Sequence, residues 1–200
     1  MYIANNKYKK YGIILILVLI MFSMGCIEFD SNEERIAAHR AKEITDEYVS
    51  KLNESYIFVQ VRSGSVNEHG LAKYWFVVYS MEGNIGDLTD TIELKVYSDG
   101  EVIEIPRSNS RYVGDASQNW VIDSSEAVSI SRSNSTVKRW LSEYDDSDIE
   151  RIGLGLNKEF SDNPIWVINW SSWGLFDDPK HLRVILDAHT GEVIEVDADE

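Results

Sequence analysis

The chain repeats itself about every 91 residues, and that limits what it can fold into more than any other feature. Gly100-Glu-Val-Ile-Glu-Ile105 returns as Gly191-Glu-Val-Ile-Glu-Val196, and Trp75-Phe-Val-Val-Tyr79 returns at the same spacing as Trp166-Val-Ile-Asn-Trp170. Further upstream, Ser31-x-x-Glu34 and Asp123-x-x-Glu126 are both helix-start signatures, 92 residues apart. A fixed period of this kind means one supersecondary unit used twice. The units read as 27–107 and 122–200, joined by a polar linker over 108–121.

Each copy reads as one helix followed by strands. Ala37, Ala41, Ile44, Tyr48 and Leu52 form an apolar stripe at helical spacing. A second helix spans about 124–144, carrying Ala127, Ile130, Val137, Leu141 and Tyr144; its Ser-rich middle, Ser129 to Ser135, is a poor helix former where a break or fraying is expected. Ile57, Val59 and Val61 alternate, as do Ile152, Leu154 and Leu156 with glycines between them. Tyr74–Tyr79 and Ile165–Trp170 are apolar on both faces, as central strands are. Glu93 and Lys95 alternate with Leu94 and Val96, a half-exposed strand. Ser98-Asp-Gly100 and Asp187-Ala-His-Thr-Gly191 supply the positive φ of hairpin turns. The expected fold is α+β: two tandem modules, each one helix packed on its own small antiparallel sheet.

The first 26 residues point outward from the cell. Lys7, Lys9 and Lys10 precede an apolar run from Ile13 to Phe22, and Ser23-Met-Gly-Cys26 follows. This is the pattern of a lipoprotein signal peptide, with Cys26 as the lipidated residue. The run is short of the roughly 20 apolar residues a membrane span needs, so an uncleaved anchor is the weaker alternative. The expected location is the outer face of the cytoplasmic membrane, held through the N-terminal lipid. Once Cys26 is committed, no thiol remains for disulfides, nucleophilic catalysis or metal binding.

Charge narrows the partners. The 200 residues carry 19 basic and 34 acidic side chains, a net charge of −15, and the signal contains three of those lysines and no acid. A surface this acidic repels phosphate backbones and anionic headgroups, which argues against nucleic acid. No Gly-x-Ser-x-Gly, His-Glu-x-x-His or phosphate-loop pattern occurs, and no enzyme or cofactor is expected. His39, His69, His181 and His189 are scattered; His181 and His189 flank one strand near Asp177 and Asp178 and read as solvated turn residues, so no metal site is expected. Asp145-Asp-Ser-Asp148 lacks the glycine and distal Glu of a calcium loop. Three glycosylation sequons, at Asn53, Asn134 and Asn169, are what a Ser-rich chain carries by chance. Trp166, Trp170 and Trp173 form the candidate binding cluster: facing solvent they would make a recognition surface, facing the helix they would be core.

The order of elements, closing on Arg183-Val-Ile-Leu-Asp-Ala-His-Thr-Gly-Glu-Val-Ile194, resembles a PepSY domain, whose last hairpin carries a D-A-x-T-G-E-V-type turn. Residues 122–200 match well, with Glu126-Ala127 at the helix start and Trp140-Leu141-x-x-Tyr144 near its end; the first copy, Tyr97-Ser-Asp-Gly-Glu-Val102, matches in outline only. The resemblance implies an export-side binding or regulatory module without catalytic residues. The expected function is to bind or modulate another exported protein, such as a peptidase or envelope enzyme. The alternative is a solute- or glycan-binding lipoprotein using the Trp-rich face or the cleft between modules.

Overall fold

The computed structural model describes residues 34–52, 55–81, 91–105, 115–172 and 178–199. In chain order the elements are α1 (Ala38–Val49), β1 (Tyr56–Ser63), β2 (Tyr74–Met81), β3 (Thr91–Tyr97), β4 (Val102–Ile105), α2 (Ser124–Ser133), α3 (Ser135–Glu143), β5 (Asp148–Leu156), β6 (Pro164–Ser172), β7 (Lys180–Asp187) and β8 (Val193–Ala198). The signal with Cys26, Ser31 and Trp173 lie outside the described residues.

The expectation of two modules with separate sheets is corrected here. All eight strands belong to one antiparallel sheet, in the order β4-β3-β2-β1-β5-β6-β7-β8. The seam is β1 against β5, with Gln60 to Ser63 paired to Gly155 through Ile152. Helix-then-four-strands does recur. The first strand of each half, however, pairs with its counterpart, and the halves run outward from that seam in mirrored order. Each half thereby protects an edge that would otherwise expose a row of unpaired amides and carbonyls.

One core serves both halves. The row Leu94–Val77–Val61–Leu154–Trp166–Leu186 crosses β3, β2, β1, β5, β6 and β7 without interruption, and every member is buried. Ala38 and Ala41 of α1, Ala127 and Val128 of α2, and Val137 and Trp140 of α3 belong to the same apolar cluster, so the described helices cover one face of the sheet. The stripe expected for α1 is rotated slightly: Ala38, Ala41, Thr45 and Val49 are buried, while Ile44, Tyr48 and Leu52 pack on the core's margin. Thr45 is tolerated because its hydroxyl bonds to the Ala41 carbonyl at 3.0 Å and to the Tyr79 hydroxyl at 2.8 Å. Tyr79 also donates to Asp46 Oδ1 at 2.7 Å, and burial pushes its phenol far above the ordinary range.

The second helix is broken within the Ser-rich stretch, at Asn134. That residue leaves helical geometry, with φ −64° and ψ 138°, and its side chain accepts from the amides of Thr136 and Val137, starting α3 afresh. Two strand readings change. A bulge between Phe58 and Gln60 puts Phe58 and Val61 on the helix side, so the Ile57-Val59-Val61 alternation does not hold. Glu93, expected half-exposed, is buried against Arg62. The residues read as linker also do structural work. Ala116 is buried and bonds to the Phe58 carbonyl, and Trp120 stacks on Phe58 at 5.3 Å and meets Trp166 edge-on at 5.9 Å.

Candidate functional site

The two described tryptophans of the candidate cluster are core residues. Trp166 is fully buried and its indole N–H donates to the Ile122 carbonyl at 2.8 Å. Trp170 is 1% exposed, between Ile149 and Leu182 in the register. Neither indole presents a surface, because β6 turns both toward the helices. Asp187 of the hairpin turn is structural in the same sense. Its carboxylate accepts from the amides of His189 and Thr190, both at 2.9 Å, from Ser161 Oγ at 2.8 Å and from Asn163 Nδ2 at 3.1 Å. Burial alone would raise this carboxyl; the hydrogen bonds outweigh it and lower it to about 2.

The face opposite the described helices is a different kind of surface. Register places one row across all eight strands: Ile103, Lys95, Phe76, Arg62, Gly153, Val167, Ile185 and Glu195. On the β1–β4 side the row is aromatic and cationic. Lys95 Nζ lies 4.0 Å from the Tyr74 ring centre and 4.5 Å from that of Tyr97, and Arg62 lies 4.9 Å from that of Phe76. Tyr74 meets Phe76 edge-on, with ring centres 5.5 Å apart. Arg62 is neutralised by Glu93, whereas Lys95 has no carboxylate partner among the described residues. Cations held over aromatic faces gain about 0.5–1 kcal/mol at exposed sites and more when desolvated.

Where β1, β5 and β6 meet, the same face drops into a trough of about 300 Å³. Gly153 and Gly155 form its floor; Val59, Ile165 and Val167 give apolar walls; Gln60, Arg151, Asn157 and Asn169 bring polar groups to it. Arg151 is exposed and, unlike Arg62, has no acidic partner among the described residues. Sequence reading registered these glycines only as spacers in an alternating strand. Their placement at successive helix-free positions of β5 was the available signal, but it becomes a floor only once the register sets Gln60 and Ile165 beside Gly155.

A cleft between the halves also exists. Loop residues 64–68 face 145–149 across a polar space of about 650 Å³ that includes Arg35, Glu68, Arg132 and Asp145. Its arginines are already engaged: Arg132 lies 4.0 Å from Glu68, and Arg35 reaches the Ser65 carbonyl at 3.5 Å. Among the described residues no group of three or more His, Cys, Asp or Glu side chains is arranged to hold a metal ion. His181 sits 3.8 Å from Glu150, and the His189 amide is part of the Asp187 turn. No family model, curated protein or solved structure matches this chain.

Proposed function

We propose that this is a lipid-anchored extracytoplasmic protein that binds, and through binding modulates, another exported protein, with no catalysis of its own. The observation that carries the reading is the row Lys95–Phe76–Arg62–Gly153–Val167 on the face opposite the helices. It is broad and continuous, and it mixes aromatic and guanidinium groups, the composition favoured at protein interfaces. An acidic chain in which Lys95 and Arg151 have no carboxylate partner among the described residues is suited to an acidic or aromatic loop of a partner. The resemblance of 122–200 to PepSY modules supports the same reading, and the signal-like pattern ending at Cys26 supports an encounter outside the cytoplasmic membrane.

The solute-binding alternative loses its tryptophan face to the core, which leaves it the cleft and the trough. Pull-down of the tagged full-length protein from native membranes separates the readings. Wild type retains an exported partner, and Lys95→Glu, which reverses a charge outside the core, releases it. Retention unchanged by Lys95→Glu sinks docking on this face. Location is checked on its own by Cys26→Ser, which moves the protein from the membrane to the soluble fraction if Cys26 carries the lipid.

A further inference from the structure

We infer that the trough over Gly153 and Gly155 receives the carboxylate end of an extended peptide whose last residue is apolar. The inference rests on the docking reading above and names the part of the partner that the face would hold.

Charge is the first ground. Two arginines approach Gly153 on this face, Arg62 across the seam and Arg151 two residues along β5. Arg62 is spent on Glu93 and the Phe76 ring, while Arg151 reaches the trough without an acidic partner among the described residues. Of the described arginines on this face, Arg62 and Arg183 are ion-paired with described acids and Arg151 is not. Its planar fork matches a carboxylate through two parallel N–H···O bonds.

The glycines are the second ground. Strand glycine is destabilising, and it marks bulges, tight bends or places where another chain or ligand comes close. Gly155 has no positive φ and pairs in register with Gln60 and Ile165. An added Cβ there would meet only Gln60 Cγ and the Val59 carbonyl, both at 3.8 Å. Nothing in the fold itself demands glycine at this position. What the glycine leaves is space, about 300 Å³, at the small end of the roughly 300–1,000 Å³ of ligand sites.

The lining chemistry is the third ground. Val59, Ile165 and Val167 offer an apolar wall for a side chain, and the Gln60 and Asn169 amides can each donate to and accept from a peptide group. A free acyl carboxylate would use Arg151 and the apolar wall, and would leave both amides idle.

The test is fluorescence anisotropy on the full-length protein in detergent. The probe is fluorescein-labelled Gly-Ala-Val-Leu with a free C-terminus, set against the same peptide amidated and against hexanoate as competitor. The free acid binds, and the amide binds about ten-fold more weakly for loss of the charged pair. Arg151→Gln produces the same loss with the free acid. Gly155→Val closes the trough and abolishes binding while thermal unfolding stays cooperative. Equal binding of acid and amide, unchanged binding in Arg151→Gln, or no binding by folded wild type overturns the inference. So does hexanoate displacing the probe as well as unlabelled peptide does, with Gln60→Ala and Asn169→Ala silent. The membrane pull-down keeps the two readings apart: a partner released by Lys95→Glu but retained by Arg151→Gln and Gly155→Val overturns the trough and leaves docking standing.

Discussion

Each half of the sheet ties the approach to its first helix to a buried tryptophan through an indole hydrogen bond. Trp75 Nε1 donates to the Ile36 carbonyl at 2.9 Å, and Trp166 Nε1 donates to the Ile122 carbonyl at 2.8 Å; each acceptor lies two residues before a helix. The helix starts themselves differ. Asp123 caps α2 through the Ser124 amide, whereas α1 begins after Ala37, which has no capping side chain. The first half borrows instead. Ser124 Oγ accepts from the Ala38 amide at 3.0 Å and Asp123 Oδ1 from the His39 amide at 3.1 Å. A helix leaves its first amides without internal partners, so a half without its own cap depends on the half that has one. The turns differ likewise: Asp187 clamps the second hairpin with both oxygens, while among the described residues Asp99 makes a single bond, to the Glu101 amide. A repeated plan is built into one sheet and one core, with the second half supplying caps to the first.

Separation of the halves tests that dependence most severely. Fragments 34–105 and 115–199, expressed apart, are expected to show no cooperative unfolding by circular dichroism, because each bares a seam strand and α1 loses its caps. A cooperative transition in either one alone would show that the halves are independent. Next come the matched tryptophans. Trp75→Ala and Trp166→Ala should each cost about 3–5 kcal/mol in denaturant unfolding, in a single transition. Two resolved transitions in either variant would break the claim of one core.

Gly70 sharpens the comparison further. It holds φ +76°, and a Cβ there would come within 2.4 Å of the Ser124 carbonyl oxygen, where the first half's loop presses on the start of α2. Gly70→Ala should cost about 3 kcal/mol or more, against about 1 kcal/mol for Gly100→Ala, whose φ is +90° in open space. Equal losses would mean that the loop yields.

Asp187 sets a pH signature for the second half alone. Its carboxyl is lowered from 3.8 to about 2, so its contribution is present above about pH 4 and is lost as pH falls through about 2. Asp187→Asn should remove about 2 kcal/mol at neutral pH and flatten the stability profile between pH 4 and 2. An unchanged profile would dismiss the clamp. The smallest effect belongs to the shared cap. Asp123→Ala should cost about 1–2 kcal/mol and raise hydrogen exchange at the His39 and Ser124 amides together, whereas Asn134→Ala should cost about 1 kcal/mol and affect α3 only. Exchange raised at Ser124 alone would deny the borrowing.

Much of this could be read from local pattern. The Trp75/Trp166 and Gly-Glu-Val-Ile-Glu echoes marked equivalent strands, the hairpin glycines do hold positive φ, and the Ser-rich stretch broke its helix. Trp120 could not be placed, because a polar, Ser- and Asn-punctuated segment reads as a linker unless Phe58 and Trp166 are known to sit on either side of it. Arg151 was unremarked for a similar reason. An arginine on a strand has no meaning until its neighbours show that none of the described acids neutralises it.

Periodicity and turn chemistry act over a few residues, so strands, hairpins and the helix break were determined by the sequence alone. The joining of β1 to β5, the capping of α1 by Asp123 and Ser124, and the alignment of Gly153 and Gly155 into a trough are contacts between segments 80 or more residues apart. Such contacts depend on loop-closure entropy and on register, which no local pattern encodes. Only the folded chain decided that two copies would share one sheet and one core.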